Sequence, residues 1–304
     1  MAVSSMQSLP QLSMPRPALD NGRTEHWDTQ VYDPSWREST IASRSAAVDR
    51  VIQEIRQRLD EPISLSDMAD IAYLSPFHFN RVFRQMTGVS PGRFLTTLRM
   101  EAAKQLLLDG EMRIIDVCFA VGYNSLGTFT TQFTQLVGLS PGRYRRLHGI
   151  DGIVEPQELS GPRNLLVTDQ AGGEINGWIS LSDSSPFWIF VGLFPTAVPC
   201  REPIACALLT DPGPFHLAPV SDGSYYLLAA AISRTDDPLV CPPFDELVAY
   251  VGSSHKRLVM RTGRIIEGLT ELHLRPLWLS DPPILVDLPL LLFRHENSKQ
   301  RSEV

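Results

Sequence analysis

A shift of 50 residues lays the stretch 75–93 over 125–143 without a gap, and nine of the 19 aligned positions are identical. The identities are Ser75/Ser125, Phe79/Phe129, Phe83/Phe133, Gln85/Gln135, Gly88/Gly138, Ser90/Ser140, Pro91/Pro141, Gly92/Gly142 and Arg93/Arg143. A repeat of this kind means one supersecondary unit used twice, which restricts the fold more than any composition figure does. Each copy has the same parts. A short helix is predicted over 65–72 and again over 114–121, followed by a tight turn (Tyr73-Leu74-Ser75, then Gly122-Tyr123-Asn124-Ser125). The serine then caps a second helix that stops at glycine. Each copy therefore reads as a helix-turn-helix.

Between the copies, Phe94, Leu98, Ala102, Gln105 and Leu106 predict one continuous helix over the 18 residues 91–108, about 27 Å long at ~1.5 Å per residue. A rod of that length can hold two second helices near the roughly 34 Å that separates successive major-groove faces of B-DNA. Upstream, Val48, Val51, Ile52, Ile55 and Leu59 form one apolar stripe of a helix starting near Ser45 and ending before Pro62.

Charge and proline divide the chain at one place. Residues 44–148 carry 13 Lys/Arg against 10 Asp/Glu, whereas residues 149–304 carry 11 against 19, within an overall net charge of −7. Sixteen of the 24 prolines follow residue 150. There the pattern turns to short apolar stretches at 173–181, 186–194, 205–209, 215–220, 225–232, 247–251 and 269–274, punctuated by Asp211-Pro-Gly-Pro214 and Ser221-Asp-Gly-Ser224. The expected architecture is multidomain, α and β. A mobile arm over 1–43 precedes an all-α tandem helix-turn-helix domain over 44–149. A linker over 150–172, an antiparallel β-sandwich over 173–275 and a tail over 276–304 follow.

With two helix-turn-helix units, a connecting helix and the runs Gly122-Tyr-Asn-Ser-Leu-Gly-Thr-Phe129 and Gly138-Leu-Ser-Pro-Gly-Arg-Tyr-Arg145, the segment 44–148 resembles the AraC/XylS family of bacterial transcription regulators. The resemblance covers about a third of the chain. It implies that both second helices enter adjacent major-groove segments on one face of double-stranded promoter DNA. Many members carry an effector-binding or dimerising domain ahead of this module. Here the additional domain follows it, so the family's sugar-binding jelly roll is not carried over. More weakly, Gly213-Pro-Phe-His-Leu217 and Asp222-Gly-Ser-Tyr-Tyr-Leu-Leu-Ala-Ala230 resemble prealbumin-like or carboxypeptidase-regulatory-like sandwiches, a likeness that implies a fold and little about function.

On a helical wheel Phe79, Val82, Phe83 and Met86 share one face, leaving Phe77, Asn80, Arg81, Arg84 and Gln85 to the other. Phe79, Phe83, Phe129 and Phe133 are read as core. In the family the outward face carries the base readers, which implies that role for Phe77, Asn80 and Arg81. Arginine can grip guanine N7 and O6 with two hydrogen bonds, and asparagine can do likewise for adenine. In the second unit Thr128 and Thr131 stand on the corresponding face, with Thr131 where the first unit has Arg81. A threonine reaches a phosphate or a thymine methyl but cannot bind guanine with two bonds, so the first unit should dominate base reading. Gln132 is an alternative reader. Phosphate anchoring is expected at the helix starts Ser75, Ser90, Ser125 and Ser140, and from Arg84, Arg93, Arg99, Arg143, Arg145 and Arg146.

Other chemistry is thin. Cys118, Cys200, Cys206 and Cys241 are too few and scattered for a disulfide framework and read as reduced thiols. Cys200, Cys206, His216 and Cys241 lack metal-ligand spacing, and His255, His273 and His295 have no acid or nucleophile at a recognisable distance along the chain. No phosphate-binding glycine loop or nucleophile elbow occurs. No cofactor, no metal, no catalytic residue, no membrane partner and a cytoplasmic location are therefore expected. Tyr225 and Tyr226 alternate in a predicted strand, so one packs and the other faces out. The sandwich is left with three roles, as the seat of a small-molecule effector, a self-association surface or a contact for another protein. RNA polymerase is the expected partner of an activator. The alternative from another class is an enzyme or carbohydrate-interacting protein acting through the sandwich and targeted to DNA by the helical half.

Overall fold

The computed structural model describes residues 34–148, 163–164, 172–233, 248–254 and 256–286. Cys241, His255, His295 and the arm over 1–33 lie outside the described residues, as do most of the expected linker and the end of the tail.

Among the described residues seven helices come first. They are α1 (Pro34–Gln57), α2 (Leu65–Ile71), α3 (Pro76–Thr87), α4 (Pro91–Leu108), α5 (Ile114–Ala120), α6 (Leu126–Val137) and α7 (Pro141–His148). The first begins at Pro34, well before the expected start near Ser45, because proline is well suited to a first helical turn and nothing breaks the helix before Gln57. Its stripe Val48, Val51, Ile52 and Ile55 is fully buried. The start of α2 is a reciprocal cap, with Ser64 Oγ accepting from Asp67 N at 3.2 Å and Asp67 Oδ2 accepting from Ser64 N at 2.8 Å. The Ser64 backbone N–H first, and then the Ser64 side chain, hold the Asp67 carboxyl below its usual pKa.

The repeat is realised in packing as well as in sequence. Helices α3 and α6 are each 12 residues long, start on a capping serine and end on a glycine in the left-handed region, Gly88 at φ 77° and Gly138 at φ 93°. Phe79 lies 5.4 Å from Phe83, and Phe83 meets Phe94 edge-on at 5.4 Å. In the second unit Phe129 lies 5.8 Å from Phe133, which meets Tyr144 edge-on at 5.7 Å. Phe94 and Tyr144 are 50 residues apart, so the aromatic core is duplicated together with the helices. All six rings are buried.

The strand-rich half begins with β1 (Arg163–Asn164), then β2 (Gly173–Ser180), β3 (Phe187–Phe194), β4 (Cys206–Leu209), β5 (Pro214–Val220) and β6 (Gly223–Ser233). It continues with β7 (Val248–Ser253), β8 (Leu258–Arg261), β9 (Arg264–Glu267), β10 (Glu271–His273) and β11 (Arg275–Pro276). One sheet runs β1-β4-β3-β6-β7-β11, with β8 paired to the start of β6 and β9 to β8; the other runs β10-β2-β5. The pairings are antiparallel except that of β10 with β2, which is parallel. Ile175 and Ile179 of β2 and Leu217 of β5 share one apolar core with Ile189, Val191 and Leu193 of β3 and Leu227 and Ala231 of β6. Gly173, Ile175 and Ile179 of β2 are buried while Glu174, Asn176 and Trp178 are exposed, as a sheet with one wet face requires.

Three details depart from expectation. The hairpin β8–β9 and the short strands β1 and β11 were not foreseen. The segment after 275 is not a simple tail, because Leu285 and Val286 are buried. Tyr225 is the packed tyrosine, its hydroxyl on Ser221, whereas Tyr226 is half-buried beneath Arg257, whose guanidinium carbon lies 5.4 Å from the ring centre. Among the described residues no helix is long and apolar enough to cross a membrane, and no three His, Cys, Asp or Glu side chains gather to hold a metal. His216 instead bonds Asn176 at 2.9 Å.

Candidate nucleic-acid interface

The amphipathic face of α3 decides what the helix offers outward. Phe79, Val82 and Phe83 are buried against α4 and its neighbours, so Phe77, Arg81, Arg84 and Gln85 project from the exposed side, and Asn80 is half-buried at its margin. Phe77 is 83% exposed, a large aromatic held in water at the first turn of a helix. Neither the Arg81 nor the Arg84 guanidinium forms an ion pair or hydrogen bond among the described residues. Two unneutralised guanidinium groups and an apolar ring on one short surface suit a partner that offers both anionic and apolar edges.

Helix α6 presents a different surface on the same scaffold. Thr128 and Thr131 are exposed, and Thr130 and Thr134 are linked by a bond from Thr134 Oγ1 to Thr130 O at 2.7 Å. Gln132 is half-buried and accepts the Tyr123 hydroxyl on Oε1 at 2.5 Å. That bond ties Gln132 into its own unit and removes the support for it as a reader.

The serines divide by use. Ser75 Oγ accepts from His78 N and Ser125 Oγ from Thr128 N, each at 3.4 Å, so both hydroxyls cap their own helices. Ser90 precedes α4 without a side-chain cap bond, and Ser140 lies exposed before α7. Three residues further along each helix stand Arg93 and Arg143, both exposed and without a partner among the described residues.

Two of the expected phosphate anchors have structural tasks instead. Arg145 donates from Nε to Leu107 O at 3.3 Å and from Nη2 to Met112 O at 2.6 Å, closing the corner between α4 and α5. Arg99 donates from Nε to Leu59 O at 2.9 Å and from Nη2 to Glu61 O at 2.7 Å, with its guanidinium carbon 5.8 Å from the Tyr123 ring centre. Burial lowers the Arg99 pKa, opposed by Tyr123 and Asp60, and burial raises that of Tyr123. An arginine nevertheless remains charged at neutral pH. The sequence held no signal separating these two from the free arginines, because the carbonyls they bond come from about 40 residues away.

A measurement distinguishes the two classes. If the free arginines meet DNA phosphates as the sequence leads one to expect, Arg93→Ala and Arg143→Ala will each lower the salt slope of duplex binding by about one and leave the melting temperature unchanged. Arg99→Ala should leave that slope intact and cost about 1–2 kcal/mol of stability by stranding two carbonyls, and lysine should not restore it because one ammonium cannot span both. Salt titrations and thermal melts on the full chain read both quantities.

Residues 68–147 match the family model described as a helix-turn-helix domain. An uncharacterised HTH-type transcriptional regulator of Haemophilus influenzae is 37% identical over 106 residues, covering 35% of this chain and 36% of that protein. The bifunctional transcriptional activator/DNA repair enzyme AdaA of Bacillus subtilis is 30% identical over 100 residues, covering 33% and 47%. The HTH-type regulator YbfP of the same species is 29% identical over 147 residues, covering 48% and 46%. The chain thus spans less than half the length of these relatives. Its helical half carries a helix-turn-helix domain.

Proposed function

We propose that the chain is a sequence-specific, DNA-binding transcription regulator of the AraC type, reading adjacent major-groove segments of promoter DNA with α3 and α6. The carrying observation is the free, arginine-bearing face of α3 set on a duplicated helix-turn-helix scaffold. The regulator names of the relatives and the AraC/XylS resemblance support the reading.

In this reading Phe77, Asn80 and Arg81 contact base edges, with Phe77 against a thymine methyl, and Thr128 and Thr131 make the shorter contacts of the second unit. Phosphates are met by Arg84, Arg93 and Arg143, and by the backbone N–H groups after Ser75, Ser90, Ser125 and Ser140. Arg145 drops out, its guanidinium being occupied by Leu107 O and Met112 O. The acidic strand-rich half, a β-sandwich of the prealbumin-like kind, adds no phosphate contacts. It serves effector sensing, self-association or a contact with another protein such as RNA polymerase. The protein acts as a non-enzymatic regulator in the cytoplasm, where its DNA is.

The test is selection of bound duplexes from a randomised pool, followed by fluorescence anisotropy of the recovered duplex against a scrambled one at two salt concentrations. Binding to the recovered site should exceed non-specific binding by about 10³-fold or more. Equal affinity for both duplexes would overturn the proposal.

A further inference from the structure

The loop between β3 and β4 leaves the strand-rich half and enters the helical one. Val198 is 0% exposed and belongs to the same buried cluster as Phe83, Phe94, Phe129 and Phe133, with Ala197 and Cys200 packed beside it. At one end of the loop, Ala197 Cβ would lie 3.4 Å from a Cβ built on Gly88, the glycine that caps the end of α3. At the other, Arg201 Cα would lie 3.9 Å from one built on Gly138. Arg201 donates its backbone N–H to Leu136 O at 2.8 Å and its Nε to Gln135 O. The last carbonyls of a helix are otherwise without partners and carry the negative end of its dipole, so a cation with two donors there is well placed.

The loop is itself held from behind. Pro199 O accepts from Leu285 N at 2.9 Å and from Val286 N at 3.0 Å, and Leu285 is also fully buried in the helical cluster. One residue earlier, Ile284 O accepts the Nζ of buried Lys104, on the connecting helix α4, at 3.2 Å. Arg201 has φ 61°, a left-handed conformation that a residue with a side chain keeps where its surroundings hold it. Three elements, the ends of α3 and α6 and the flank of α4, are therefore met by one short assembly from the other half of the chain.

We propose that residues 197–201 are a strut fixing the two recognition helices relative to each other, so that the strand-rich half determines the spacing over which the module reads DNA. The spacing claim rests on the DNA-reading function proposed above; the strut itself does not. Arg201 and Val198 are positioning residues. Arg201 lies at the C-terminal end of α6 and Val198 in the buried helical cluster, away from the outward side chains assigned to bases.

The test uses the full chain with Arg201→Ala and, as the milder packing variant, Val198→Ala, each checked by thermal melt. Hydrogen exchange without DNA should rise about tenfold over 85–89 and 135–139 together in either variant. Movement of both ends is the mark of a strut, because among the described residues Arg201 bonds only α6. A rise confined to 135–139, or none, would overturn the strut. On DNA, wild type should prefer the selected site over one carrying an extra base pair between its halves by about tenfold, and the variants by about two- to threefold. Exchange that rises at both ends while the spacing preference stays unchanged would overturn the spacing role. Absence of any discrete wild-type site would instead sink the DNA-reading function, leaving exchange to decide the strut.

Discussion

Arg81→Ala is expected to lose about 1–3 kcal/mol of affinity for the selected duplex while binding scrambled DNA almost as well as wild type. The asymmetry follows from geometry. Arg81 projects from the exposed face of α3 with no partner among the described residues, so its removal strands no protein group and leaves folding intact. What disappears is a planar pair of donors matched to one base edge, which a scrambled duplex does not offer in register. Thr131→Ala, at the same place in the repeat, should cost well under half as much, because one hydroxyl and one methyl make a single short contact. The decisive measurement is a panel of duplexes with each base pair of the site changed in turn. Arg81→Ala should flatten the preference at one position and Arg93→Ala at none. If Arg81→Ala weakens all duplexes alike, Arg81 is a phosphate anchor and the first unit's assignment fails.

How much of this was legible beforehand depends on the range of the interactions. Helix α4 runs from Pro91 to Leu108 as its apolar stripe predicts, and the bounds of α3 and α6 follow from serine caps and glycine stops that act within a few residues. The strands β2 to β7 carry local signals too. The hairpin β8–β9 does not, because its turn is Thr262-Gly263, with φ 48° and 72°, rather than an Asn-Gly or Asp-Gly pair. Its support comes from Asp222, whose carboxylate accepts Thr262 N at 2.6 Å and Gly263 N at 3.0 Å. Those two bonds, Gly263 first, hold the Asp222 carboxyl below its usual pKa. A carboxylate 40 residues upstream is invisible to periodicity. The candidate site shows the same division. Its outward face could be read from a wheel, whereas the engagement of Arg99 and Arg145 and the insertion of Val198 depend on distant partners.

Gly122→Ala should be the most damaging single-methyl change in the helical half, at about 3 kcal/mol. The residue sits at φ 78° in the turn of the second unit. A Cβ there would lie 2.4 Å from Leu59 O and 2.7 Å from Arg99 Nη2, inside the pair of bonds by which the Arg99 guanidinium ties Leu59 O and Glu61 O, just after α1, to α4. The left-handed backbone alone costs a residue with a side chain about 1–2 kcal/mol. Dislodging the Arg99 pair from Leu59 O and Glu61 O adds about 1–2 kcal/mol. Gly110→Ala separates these contributions, since Gly110 has φ 75° and its nearest neighbour would be 3.9 Å away. It should show the backbone cost alone. The first unit reaches the same turn differently, with Tyr73 at φ 56° and the Arg50 guanidinium carbon 5.5 Å from its ring centre. Tyr73 therefore tolerates a left-handed backbone because its turn is open, whereas Gly122 is required because its turn is filled by Arg99. Chemical denaturation of the two glycine variants decides the matter. Equal losses would mean that Arg99 does not press on Gly122, and a loss at Gly122 about twofold larger would identify this arginine, expected from sequence to meet phosphate, as the tie between α1, α4 and the second helix-turn-helix.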